Sequence, residues 1–210
     1  MNKIYCLLIF LITTNVFSQN DFNNLKGKKI LVLYGGWEGH QPKVFAEKIT
    51  KWLLDQKAEV KLVKGTSIYT DSNVMNDLDL IIQHITMSKM SPLETKGLIS
   101  AIAQGVGLAG CHGGLGDSFR DNTEYQYMVG GQFVKHPGGQ LTYTVNIESK
   151  NDPITVGIKD FSLHTEQYYM HIDPNLEVLA STKFSGIHDS WIKGAVVPVV
   201  WKKLYGKGKV

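Results

Sequence analysis

Cysteine is almost missing from this sequence, with only Cys6 and Cys111 in 210 residues. Cys6 sits in an amino-terminal apolar stretch, so removal of that stretch leaves Cys111 without a partner for an internal disulfide. Stability then has to come from a hydrophobic core, which about 190 residues are long enough to build. A surplus of one charge is missing too. There are 22 basic and 19 acidic side chains, for a net charge of +3, with no basic stripe to steer nucleic acid. Repeats, low-complexity tracts and a linker rich in Pro, Gly or Ser are also absent. The simplest organisation is one domain from about Lys26 onward. No apolar run reaches the roughly 20 residues that a membrane-spanning helix requires. The longest, Ile4 to Phe17, follows Lys3 and ends at Ser18-Gln19 before the polar Asn20-Asp21. That order is expected of a secretory signal peptide over residues 1–19, and so of a periplasmic or secreted protein.

Alternating elements are what the sequence does contain. Lys29 to Tyr34 is a short apolar run that ends in Gly35-Gly36, as a strand buried on both faces reads. From Pro42 to Gln56, Phe45, Ile49, Trp52 and Leu53 fall at helical spacing. Glu59 to Val63 and Leu78 to Ile85 read as the second and third strands. Ser91-Pro92-Leu93-Glu94 has the form of a capping box with proline at the first helical position, which opens a helix that Gly105 closes. Val106 to Cys111 reads as a fourth strand. This alternation predicts a parallel sheet covered on both faces, with ligands bound beyond the carboxyl ends of its strands. After Asp117 come a short helix over Thr123 to Val129 and strands over Leu141 to Ile147, Leu176 to Ser181 and Val197 to Lys202. Gly206-Lys207-Gly208-Lys209-Val210 reads as a hairpin cut at the start of its second strand.

Several segments, taken in order, resemble a known family. They are Gly110-Cys111-His112 with Asp117, Gly130-Gly131-x-Phe133 running into His136-Pro137, Thr165-Glu166-Gln167-Tyr168-Tyr169, and Pro198-Val199-Val200-Trp201 before Tyr205-Gly206-Lys207-Gly208. The set resembles the ThuA-like (trehalose utilisation) domain over nearly all of residues 26–210. The resemblance implies an α/β fold with a flavodoxin-like, doubly wound, mostly parallel sheet, similar to the class I glutamine amidotransferases. It also implies a last strand and helix beyond Val210, and a role in carbohydrate metabolism, on a glycoside or keto-sugar.

Cys111 invites comparison with an amidotransferase nucleophile, but the nucleophile's register falls on His112. Cys111 is expected to be a packed strand residue. His112 leaves a buried strand directly into Gly113-Gly114, where an imidazole can serve as base, acid or metal ligand. His40 leaves the first strand in the same way, and His136 follows a turn fixed by Pro137. Glu166 and Asp117 supply carboxylates. The expected catalytic groups are His112, Glu166 and Asp117. Gly36, Trp37, His40, Gly113, Gly114, His136 and Tyr168 are expected to line the substrate site. The same residue types suit a divalent metal such as zinc on His112, His136 and Glu166, and the sequence leaves both uses open. Gly35-Gly36-x-x-Gly39 lacks the lysine of a P-loop and the G-x-G-x-x-G pattern, so no nucleotide cofactor is expected. The expected partner is a small-molecule carbohydrate rather than nucleic acid or membrane. A non-catalytic carbohydrate-binding module and a glutamine amidotransferase are the alternatives.

Overall fold

The computed structural model describes residues 25–210, and the expected signal peptide lies outside the described residues. The amino-terminal half runs β1 (Lys29–Gly36), α1 (Pro42–Asp55), β2 (Glu59–Lys64), α2 (Ser72–Met75), β3 (Leu80–Thr86), α3 (Pro92–Gln104) and β4 (Gly107–Gly110). These four strands are all parallel, in the order β2-β1-β3-β4. That is the doubly wound, flavodoxin-like order. Alternate residues of β1 serve the two faces. Ile30 and Val32 pack with Ala46 and Leu53 of α1 on one side. Leu31 and Leu33 pack with Leu98, Ala101 and Ile102 of α3 on the other. The leucine, isoleucine and valine side chains among these, fully buried, each contribute about 1.5–3 kcal/mol. The capping box forms as read, with Ser91 Oγ accepting from Glu94 N and Glu94 Oε2 accepting from Ser91 N.

The carboxyl-terminal half is assembled differently. After α4 (Gly113–Gly116) and α5 (Thr123–Val129) come β5 (Gly131–Lys135), β6 (Gln140–Ile147), β7 (Phe161–Glu166), β8 (Tyr169–Ile172), β9 (Glu177–Lys183) and β10 (Val196–Lys202). A β11 (Leu204–Tyr205) and β12 (Gly208–Lys209) hairpin follows. Strands β10-β9-β6-β7 form an antiparallel sheet, and β5 pairs antiparallel with β8. The parallel part of the fold is thus confined to the first four strands. Among the described residues no helix is long and apolar enough to cross a membrane.

A buried polar hub joins the two halves. Gln83 on β3 is fully buried. Its Oε1 accepts from Tyr69 Oη at 2.8 Å. Its Nε2 faces Gly114 O at 3.2 Å, Ser118 Oγ at 3.0 Å and Tyr125 Oη at 2.7 Å. An amide with all its polar atoms engaged holds α4 and α5 against the sheet, and loss of one partner would leave a costly buried group.

Candidate functional site

Three strand ends meet at the carboxyl edge of the parallel sheet. Gly36 at the end of β1 stands in register with Thr86 at the end of β3. Its φ is +76°, and a Cβ there would come within 1.8 Å of Thr86 O, so only glycine lets the chain turn at this point. Trp37 N donates to Thr86 O at 3.0 Å, and the following turn carries His40. Its Nδ1 pairs with Thr86 Oγ1 at 3.0 Å.

Beyond β4 the chain bends sharply. His112 adopts φ 55° and ψ −143°, a backbone conformation that costs a non-glycine residue on the order of 1–3 kcal/mol and is concentrated at functional sites. The bend falls on His112, as the elbow register predicts. Gly113 follows, and a Cβ on it would lie 2.5 Å from His40 Cε1. The His40 ring occupies the space a side chain would need and meets His112 edge-on, with centroids 4.7 Å apart.

The antiparallel half supplies the facing groups. Glu166 ends β7, and its Oε2 lies 3.3 Å from His112 Nε2. Its Oε1 lies 3.7 Å from His136 Nε2. Tyr168 Oη is 3.1 Å from His112 Nδ1, and its ring rests against Phe133 with centroids 4.4 Å apart. The His112 and Glu166 side chains are 34% and 23% exposed, open enough to meet a ligand yet sheltered. Burial first, and the neighbouring His40 second, hold the His112 pKa below its ordinary value, while Glu166 pulls it upward. The imidazole is therefore neutral at pH 7, as a base or a metal ligand must be. Burial, and then the Glu166 carboxylate, raise the Tyr168 pKa, so its phenol keeps its proton.

A sequence model of the trehalose-utilisation family ThuA matches residues 29–210. The chain belongs to the ThuA family. Its fold is similar to that of a ThuA-like protein from Bacteroides uniformis, with a TM-score of 0.67 and 15% identity over 87% of this chain and 80% of that one. A ThuA-like protein from Parabacteroides merdae gives 0.68 and 15% over 88% and 77%. A protein of Salmonella typhimurium described as cytoplasmic gives 0.57 and 15% over 87% and 85%. At such identities the likeness is one of fold. No curated protein sequence matches the chain.

Most of the residues expected at the site of this ThuA-family chain come together. His40, His112, His136, Glu166 and Tyr168 form one cluster, with Gly36 and Gly113 permitting its backbone. Trp37 packs edge-on against His40, with centroids 4.6 Å apart. Gly114 makes room for the buried His84, whose ring stacks on Phe45 at 4.2 Å. Asp117 is engaged elsewhere. It is 2% exposed and gripped by Arg120, through Nε to Oδ1 and through Nη2 to Oδ2 at 2.9 Å.

Cys111 departs from expectation. Strand β4 stops at Gly110, so Cys111 is exposed rather than packed in the sheet. It borders a cavity of about 1300 Å³ that shares His112, Glu166 and Tyr168 with the site and is otherwise largely apolar. The surrounding protein pushes the Cys111 pKa up, opposite to what a thiolate nucleophile requires. Thr86, Phe133 and Arg120, whose guanidinium lies 5.3 Å over the Phe133 ring, are not legible in the sequence as site residues. Thr86 and Arg120 carry no motif of their own, and Phe133 belongs to the resembling Gly130-Gly131-x-Phe133 segment without any sign that it would support Tyr168.

Proposed function

We propose that this ThuA-family chain is an exported enzyme of carbohydrate metabolism acting on a glycoside or keto-sugar at the His112–Glu166 pair. The family supports a carbohydrate-related role, and the order of charge, apolar run and small residue at the amino terminus supports export. The observation that carries the reading is the 3.3 Å approach of Glu166 to a neutral imidazole on a strained turn. Placing histidine on such a backbone costs stability, and a binding platform built from aromatic faces alone would not require it. The pair can take a proton from a sugar hydroxyl or return one to a leaving oxygen. Tyr168 orients the His112 ring, and Asp117 is a positioning group that holds Arg120 over the Phe133 ring on which Tyr168 rests.

The test is incubation of the mature protein with a panel of glucosides and their 3-keto derivatives, followed by product analysis. Turnover that disappears in His112→Ala, in a protein that still folds, is the expected result. Tight sugar binding with no product from any member of the panel would select the non-catalytic binding module instead.

A further inference from the structure

Glu166 differs from the other sheltered carboxylate of this region. Asp117 has Arg120, whereas Glu166 has no lysine or arginine partner among the described residues; its neighbours are the imidazoles of His112 and His136. A partly buried carboxylate normally finds a cation, and metal coordination is one way to provide it. One donor atom each from His40, His112 and Glu166 lies within 4.8 Å of the other two. We propose that these three residues bind a single divalent transition-metal ion of the zinc type, leaving one coordination position open to a sugar oxygen.

The chemistry of the donors supports this choice. Two imidazoles and one carboxylate are a catalytic zinc set, whereas magnesium and calcium favour oxygen donors. Bonds of about 2.0–2.1 Å in a tetrahedron place neighbouring ligand atoms about 3.3 Å apart, and His112 Nε2 and Glu166 Oε2 already stand at 3.3 Å. The other ring nitrogens are occupied: His40 Nδ1 by Thr86 and His112 Nδ1 by Tyr168. If each Nδ1–H donates to its hydroxyl, each Nε2 presents its lone pair, which is the usual way outer-shell groups fix a ligating histidine. His136 lies by the other carboxylate oxygen, not within this trio, and is left to move protons beside the ion. The proposal rests on the functional site assigned above and refines how that site works: the ion would polarise a hydroxyl or carbonyl oxygen that the pair alone can only hydrogen-bond.

The experiment uses the full mature chain, stripped with chelator and titrated with Zn²⁺ and Co²⁺, with binding followed by equilibrium dialysis and the visible spectrum of the cobalt form. We expect one ion per chain. Thr86→Val should weaken binding by about 10–100-fold through loss of the outer-shell partner. His40→Ala, His112→Ala and Glu166→Gln should weaken it further, while His171→Ala on β8 leaves it unchanged. Thermal melting establishes that each variant is folded. Zinc uptake that is equal in wild type and in folded His112→Ala, or displacement of zinc by equimolar magnesium, overturns the proposal. Sugar turnover that persists after the last metal is removed refutes the ion's part in the chemistry and leaves the proposed activity standing. One tightly held zinc with no turnover across the panel does the reverse.

Discussion

Through β4, each strand of the domain lies beside a strand close to it in the chain, and each crossover helix packs on the sheet it has just left. From β5 onward, β6 pairs with β7 and also with β9, and β5 reaches past both β6 and β7 to β8. The first arrangement places side chains at strand ends, where the backbone must turn and glycines allow close approach. The second places them on an antiparallel surface whose position depends on long-range pairing. The site takes His40 and the strained His112 from the first, and His136, its carboxylate and its aromatic support from the second. A centre split in this way is complete only when the two halves are docked.

If that division of labour is right, removing either contribution should be equally damaging. His112→Ala and Glu166→Gln are each expected to reduce turnover about 10²–10⁴-fold, and the double variant to be no worse than the more damaging single one, because the two act as a unit. Steady-state kinetics on a responsive sugar checks this, and additive losses would break the comparison. Gly113→Ala should come next. Its Cβ meets the His40 ring, so destabilisation of about 1–3 kcal/mol is expected, together with partial loss of turnover, read from denaturant melts and kinetics.

Acid should affect the parallel half more. Burial depresses the pKa values of both His84 and His112, so the unfolded chain binds protons more readily than the folded one. Their contribution is complete above about pH 6.5 and is lost as the pH falls through the lower folded-state values. Metal-free protein should therefore melt at a lower temperature below pH 6.5, and His112→Ala should flatten part of that slope. The smallest effect is expected from Cys111→Ala. Because the residue is exposed, the change should stay within about 0.5 kcal/mol and spare most of the turnover. Complete loss of turnover in a folded Cys111→Ala protein would return the nucleophile to the thiol.

The same division explains how far the sequence could be read. Apolar runs such as Lys29 to Tyr34, the Ser91 capping box and the glycines after strand ends are local signals, and they predicted four strands, two helices and the positions of His40 and His112. β5, β7 and β8 went unread because each is short and only partly buried, with polar residues such as His164, Thr165 and His171 and a pairing set by distant partners. Glu166 was reached through the family resemblance and not through any periodicity. Thr86 shows the limit most clearly: it ends the apolar strand Leu80–Thr86, and only the parallel register opposite Gly36 brings it to His40.

The positive φ of His112 also makes this position a handle for protein engineering. Glycine occupies that backbone conformation without penalty, so His112→Gly should fold at least as well as the natural chain while lacking the imidazole. Stability alone does not favour a histidine at this position. On the proposed function, the glycine protein would be a substrate trap, able to hold an unprocessed sugar against Glu166 and Tyr168 long enough for its structure to be determined.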